Sequence, residues 1–180
     1  MVYIFLADGF EEIEALTVVD ILRRADIEIR TVSIKDKFVT GGHGIPVLAD
    51  CLIEEVKAED ADMFILPGGM PGTTNLEKNE KVQQFLEHGV DNGKWIAAIC
   101  AAPMILGNKG YLKDIEAICY PGFEKYLQGA VVKDNRVNVC GKFITSKGPG
   151  TAMEFAFTIV SILKSEEAAQ RLKRQMQYCE

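Results

Sequence analysis

One cysteine stands where a nucleophile would be useful. In Trp95-Ile96-Ala97-Ala98-Ile99-Cys100-Ala101-Ala102-Pro103 an apolar strand runs straight into Cys100, then into small residues and a proline. The pattern reads as strand, sharp turn and helix start, the setting in which many hydrolases hold a strained nucleophile; small residues, here Ala98 and Ala102, are needed two positions to either side. Unpaired N–H groups and the dipole at a helix start stabilise a thiolate, so a depressed Cys100 pKa is expected there. The same stretch also suits a small apolar cysteine buried at the end of a core strand.

Other residues could serve that thiol. Glu11-Glu12-Ile13-Glu14 puts three carboxylates at the start of a helix, where they complement its dipole by ~0.3 to 1 kcal/mol each. Glu14 lies one turn before Val18 on the same face and could point inward. A carboxyl buried beside a thiolate would stay protonated, able to donate to sulfur or shuttle a proton. Gly68-Gly69 allows close backbone approach, so these amides could join that of Ala101 in an oxyanion hole; a simple turn is the other reading. A phosphate cradle has no support from either glycine-rich phosphate motif. Of the two histidines, His88 lies in a polar helix face and His43 in a glycine loop that could reach a neighbouring site or a partner subunit; both also fit plain surface positions. Nothing in the spacing suggests a metal site, and no cofactor is expected.

The elements that must hold these residues follow from periodicity. Met1 to Leu6 is a first core strand and not a leader, because it lacks a basic start and stops at Asp8. Ile13, Leu16, Val19, Ile21 and Leu22 mark a helix ending near Ala25, and Ile27 to Ile34 a second strand, together a βαβ unit. Phe38 to Thr40 and Ile45 to Leu48 predict two short strands about a glycine loop at a sheet edge. Met63 to Leu66 is a strand covered on both faces, and Glu80 to Asn92 a helix burying Val82, Phe85, Leu86 and Val90 before Gly93. After the Cys100 strand come a strand over Ile115 to Tyr120, a hairpin of Ala130–Lys133 with Val137–Cys140 about Asp134-Asn135, and a strand over Phe143 to Ser146. Gly148-Pro149-Gly150-Thr151 opens a long apolar helix through Leu163, and Ser165 caps a polar last one. Alternating strands and helices predict one doubly wound α/β domain over residues 1–180, with ligands outside the carboxyl ends of the strands, where Asp8, Gly68 and Cys100 all fall.

Composition narrows the partners. A formal charge of −6 without a basic run argues against strong nucleic-acid or anionic-membrane binding, and no stretch approaches the roughly 20 apolar residues of a membrane span. Five cysteines without paired spacing (Cys51, Cys100, Cys119, Cys140 and Cys179) suggest neither a disulfide framework nor zinc, and a reducing cytoplasm fits. Cys119 and Cys179 read as incidental thiols.

Five motifs in order resemble the ThiJ/PfpI superfamily and, within it, the DJ-one/YajL-like branch. They are Gly9-Phe10-Glu11-Glu12-Ile13-Glu14, Val19-Asp20-Ile21-Leu22-Arg23-Arg24-Ala25, Leu66-Pro67-Gly68-Gly69, Ala97-Ala98-Ile99-Cys100-Ala101-Ala102-Pro103 and Thr145-Ser146-Lys147-Gly148-Pro149-Gly150-Thr151. The resemblance implies a flavodoxin-like, mostly parallel sheet sandwiched by helices, related to class I glutamine amidotransferases, in a protein that is usually a homodimer. It matches Cys100 to an oxidation-prone nucleophile, Glu14 to a protonated glutamate beside it, Gly69 and Ala101 to amides facing the thiol, and Arg24 to an arginine near the subunit interface. It implies glutathione-independent glyoxalase or deglycase activity on small reactive carbonyls or glycated groups, in oxidative-stress defence. The alternative is a non-enzymatic redox sensor or holdase chaperone; a thiazole monophosphate role has no specific support.

Three positions depart from the pattern. Ala101 stands where peptidase-like members carry a histidine, which removes that Cys-His dyad. Tyr120, before Pro121, holds the place of a histidine near the cysteine, and tyrosine is a poor base near neutral pH, its ordinary pKa being about 10. His43 replaces an interface arginine.

Overall fold

The structure is a computed structural model that describes residues 1–178; Cys179 lies outside them. Its first βαβ unit runs β1 (Val2–Leu6), α1 (Glu12–Arg24) and β2 (Ile29–Ser33). β3 (Phe38–Thr40), β4 (Pro46–Leu48), β5 (Cys51–Leu52) and β6 (Met63–Leu66) follow, then α2 (Gly72–Lys78), α3 (Glu80–Asp91), β7 (Trp95–Ile99) and α4 (Pro103–Asn108). The chain continues through β8 (Glu116–Ala117), β9 (Val131–Val132), β10 (Val137–Cys140), β11 (Phe143–Ser146), α5 (Ala152–Leu163) and α6 (Glu166–Gln175).

Seven strands form one sheet in the order β10-β11-β7-β6-β1-β2-β5, all neighbours parallel except β10 against β11. From β1 the chain first adds β2 on one side and later β6 on the other, so the crevice over the carboxyl ends opens where the winding reverses. Central strands are buried on both faces, and alternation sorts their side chains. Val2, Ile4 and Leu6 pack with α1, α5 and α6, whereas Tyr3, Phe5 and Ala7 pack with α3 and α4. This is the flavodoxin-like architecture.

Periodicity located the long elements and the short strands β3, β4, β10 and β11, but not how the short strands pair. Ser165 does cap α6, its side chain accepting from the Ala168 N–H. β3 and β4 pair with each other but form a small sheet of their own, not an edge of the main one. The strand expected over Ile115 to Tyr120 shrinks to two residues, and the hairpin about Asp134-Asn135 does not form. Instead β9 pairs in parallel with β8, and β10 turns back into β11 through Gly141-Lys142. Gly141 has φ +58°, the left-handed conformation that a two-residue hairpin loop needs.

Under the sheet, Phe85 of α3 meets Phe5 edge-on at 5.5 Å and Phe64 at 5.8 Å between ring centroids, with Tyr3 at 6.3 Å. This cluster holds the ends of β1 and β6 in fixed relation. Phe85→Ala is expected to lower the unfolding free energy by about 3–5 kcal/mol in urea denaturation, because the sheet cannot collapse onto the vacated ring volume.

Candidate active site

Cys100 occupies the turn between β7 and α4 with φ +65°, a left-handed conformation that a non-glycine residue adopts only under constraint. The constraint is visible in the backbone. Its N–H donates to Ser146 O at 2.9 Å, and its carbonyl accepts the Tyr120 N–H at 2.7 Å. Ala98 and Ala102 are both fully buried, as the tight strand-to-helix passage requires. The side chain is half-buried, so the sulfur is reachable from the crevice.

Three groups converge on that sulfur. The Gly69 and Ala101 backbone N–H groups lower its pKa and so favour its ionised form. Glu14, fully buried in the first turn of α1, faces it. Gly68 stands between the two acids, since a Cβ there would lie 2.6 Å from both Cys100 Cβ and Glu14 Oε2. Its amide is not part of an oxyanion hole, because it donates to Glu14 Oε2 at 2.7 Å. Glu14 Oε1 is buried with no hydrogen-bond partner.

The electrostatics of the pair follow from burial. Desolvation raises the Glu14 pKa from 4.5 to about 7, against the opposing pull of Cys100 and the Gly68 amide. The Cys100 thiol is also pushed up, first by burial and then by the charge of an ionised Glu14, while the Gly69 and Ala101 amides lower it. The depressed value expected from a helix start is therefore not found. α4 is only six residues long, too short for a full dipole, and the sulfur is desolvated. A neutral Glu14 removes the repulsion and can donate to the thiolate, so the carboxyl must hold a proton for the thiol to lose one.

A second acid was missed from sequence. Glu12 is also buried, and its Oε1 accepts the His43 N–H at 2.8 Å while Oε2 meets His43 Nδ1 at 2.9 Å. Burial works to raise its pKa, but the His43 side chain and the N–H groups of Glu12, His43 and Ile45 outweigh it and hold it below the ordinary value. The same contact raises His43, with the Glu11 charge adding to it. Gly41 makes the grip possible, because a Cβ there would overlap the Glu12 carboxylate at 2.2 Å. The only signal in the sequence was the run of glycines around His43. His88, by contrast, is a surface residue beside Asn92. Glu11, Glu12 and His43 bring three possible ligand atoms within 4.8 Å, but the Glu12 oxygens are already engaged by the loop.

The combination of a constrained cysteine, two amides and a buried acid can be compared with known proteins. The sequence pattern of the DJ-1/PfpI family matches residues 1–162. The chain belongs to the DJ-1/PfpI family. Among its relatives, protein DJ-1 homolog B of Arabidopsis thaliana is 37% identical over 171 residues, 93% of this chain and 39% of the plant protein. The chain thus spans about two fifths of that relative's length. The glutathione-independent glyoxalase DJR-1.2 of Caenorhabditis elegans is 32% identical over 163 residues, covering 90% of this chain and 87% of its own. The structure of an oxidized Toxoplasma gondii DJ-1 superposes with a TM-score of 0.95 at 36% identity, over 99% of this chain and 98% of that one. Among the described residues no helix is long and apolar enough to cross a membrane.

Within this DJ-1/PfpI fold the buried Glu14 leaves a thermodynamic trace. Its folded pKa of about 7 exceeds the ordinary 4.5, so the folded state binds the extra proton. That advantage is complete below pH 4.5 and is lost as pH rises through 7, for a total of about 3 kcal/mol. Relative to Glu14→Gln, the wild type should lose this much stability between pH 4.5 and pH 8, measured as the difference in urea unfolding free energies. An equal pH dependence in the two proteins would show that Glu14 ionises normally.

Proposed function

We propose that this protein is a cysteine-dependent enzyme acting on small reactive carbonyls, a glutathione-independent glyoxalase that converts 2-oxoaldehydes to 2-hydroxyacids. The observation that carries the reading is the fully buried Glu14, its pKa raised to about 7, beside a Cys100 held at φ +65° in the strand-to-helix turn. The C. elegans relative named as a glyoxalase supports it.

The chemistry balances without a cofactor. The Cys100 sulfur adds to the aldehyde carbon of methylglyoxal, and the new C–S bond turns the carbonyl oxygen into an oxyanion. The Gly69 and Ala101 N–H groups stabilise that oxygen as its charge develops, and it is then protonated to a hemithioacetal. Glu14, having given its proton to that oxygen, takes the hydrogen of the former aldehyde carbon as a proton and returns it to the neighbouring ketone carbon, while the hemithioacetal hydroxyl proton passes to the former ketone oxygen. The carbon next to sulfur is thereby oxidised and its neighbour reduced, which leaves a thioester of lactate. Water cleaves the C–S bond, releasing lactate and restoring the thiol. An acid with a pKa near 7 suits both directions of this proton transfer. Deglycation of early carbonyl adducts would begin from the same attack.

The reading includes a homodimer. Ile13 on α1 is 55% exposed, Phe38 and Leu48 face each other across β3 and β4 at 71% and 59%, and Ile45 sits beside Glu12 at 50%. Buried against a second copy, these side chains would leave water. Ile13→Glu should shift the sedimentation coefficient from dimer to monomer; a wild-type monomer at micromolar concentration overturns this part.

The catalytic test is lactate formation from methylglyoxal without glutathione. Cys100→Ser should abolish turnover, and Glu14→Gln should lower kcat by roughly 10²–10⁴-fold, the usual worth of a positioned acid–base group. The oxidized T. gondii relative favours one other reading, a redox sensor. A wild type that makes no lactate while Cys100 alone gains two oxygens under mild peroxide would establish that reading instead.

A further inference from the structure

One wall of the crevice takes no part in the steps above. It is built by Tyr120, whose N–H is tied to the Cys100 carbonyl and whose ring is 46% exposed. Phe123 supports that ring nearly edge-on, with centroids 6.4 Å apart and planes at 81°. Across from it is Gly148. A Cβ there would lie 3.2 Å from Tyr120 Cδ2 and 3.9 Å from Glu14 Oε1, so Gly148 sits between the tyrosine ring and the unpartnered buried oxygen.

Tyr120 and Gly148 also line a shallow cavity of about 200 Å³, together with Pro121, Pro149, Arg136 and Lys147. Both cations are already occupied. Arg136 Nε meets Glu154 Oε2 at 2.6 Å and its Nη2 donates to Gly150 O at 2.7 Å, while Lys147 Nζ is paired with Asp134. The cavity therefore offers carbon more than charge: an aromatic face, two proline rings and the stems of two long side chains.

We infer that this cavity receives the substituent on the ketone carbon of the substrate and selects an aromatic one, so that arylglyoxals are preferred to methylglyoxal. The inference rests on the carbonyl-enzyme reading and deepens it. Once the aldehyde carbon is bonded to sulfur, the only variable part of a 2-oxoaldehyde is the group on the next carbon. A methyl group covers little of the Tyr120 wall. A phenyl ring displaces water from it and gains an aromatic contact. Tyr120 thus acts as a specificity residue through its ring, which explains how a tyrosine serves in a place where a general base is not required. Phenylglyoxal and water would give mandelate by the same internal transfer of oxidation state, with no external oxidant or reductant.

The test compares kcat/KM for phenylglyoxal and methylglyoxal in the wild type, Tyr120→Phe, Tyr120→Ala and Gly148→Ala, and titrates each protein with mandelate and with lactate by calorimetry. The wild type should favour phenylglyoxal and bind mandelate more tightly than lactate. Tyr120→Phe should keep the phenylglyoxal to methylglyoxal ratio within about twofold, because the hydroxyl is not used. Tyr120→Ala should lower the ratio roughly fivefold, mainly through KM, with a parallel loss of mandelate affinity. Gly148→Ala, whose backbone is extended and whose new methyl narrows the same space, should lower it as well. An unchanged ratio in Tyr120→Ala and Gly148→Ala, with methylglyoxal still turned over, overturns the cavity assignment and leaves the reaction standing. If neither aldehyde is turned over, the carbonyl reading fails; mandelate binding no tighter than lactate would then overturn the cavity separately.

Discussion

A carboxyl group that water cannot reach governs this molecule. Glu14 is buried at the first turns of α1, with one oxygen fixed by the Gly68 amide and the other without a partner. Burying a lone carboxylate this way would be costly, and the folded protein avoids the cost by keeping the proton. The surrounding backbone is arranged to the same end. Gly68 has no side chain because one would strike Glu14 and Cys100 together, and Gly69, at φ +88°, is turned so that its amide reaches the sulfur. The site is thus two acids and two amides packed around a glycine pair, on a strand end that the aromatic cluster beneath the sheet holds still.

The neighbouring acid has the opposite state for an equally local reason. Glu12 is 5% exposed where Glu14 is fully buried, and it is surrounded by donors: the His43 ring and the amides of the β3–β4 loop. Two residues on one helix turn are therefore shifted in opposite directions, Glu14 up by desolvation and Glu12 down by its hydrogen-bond donors. The difference has structural consequences. A charged Glu12 ties the glycine loop to α1 through His43 and the Ile45 N–H, whereas a neutral Glu14 leaves the thiol free of a negative neighbour.

Much of this was legible in the sequence because it depends on patterns that repeat along the chain. Continuous apolar runs marked β1, β6 and β7, and the helical spacing of Val82, Phe85 and Leu86 marked α3. The small residues around Cys100 marked the strained turn. What escaped was set by contacts between distant segments. The Asp134-Asn135 hairpin failed because Gly141 supplies a better turn a few residues later, and no local rule ranks the two. Burial of Glu12 and its grip on His43 depend on a segment 31 positions further along the chain folding back onto α1. The sign of the Cys100 shift was misjudged because the helix it begins is one turn and a half long, while its desolvation comes from elements that the local sequence does not contain. The position of Tyr120 at the crevice wall is another such fact, fixed by a single backbone hydrogen bond to Cys100.

The paired acids also explain how a thiol pushed upward by burial can still be a nucleophile. What matters for attack is the population of the state with a neutral Glu14 and an ionised Cys100, not the loss of both protons. The fully ionised pair is opposed by two buried negative charges in contact. The state with one proton, held by the carboxyl, has no such repulsion and is favoured by the Gly69 and Ala101 amides. When sulfur bonds to a carbon electrophile, negative charge leaves it and appears on oxygen, and the amides that favoured the thiolate are already oriented toward that region. Glu14 is then beside a neutral thioether carbon, so its own ionisation becomes less costly than in the resting protein. The carboxyl therefore becomes a better proton donor as the bond forms. The same burial that suppresses free thiolate in the resting protein thus makes the proton available at the step that needs it.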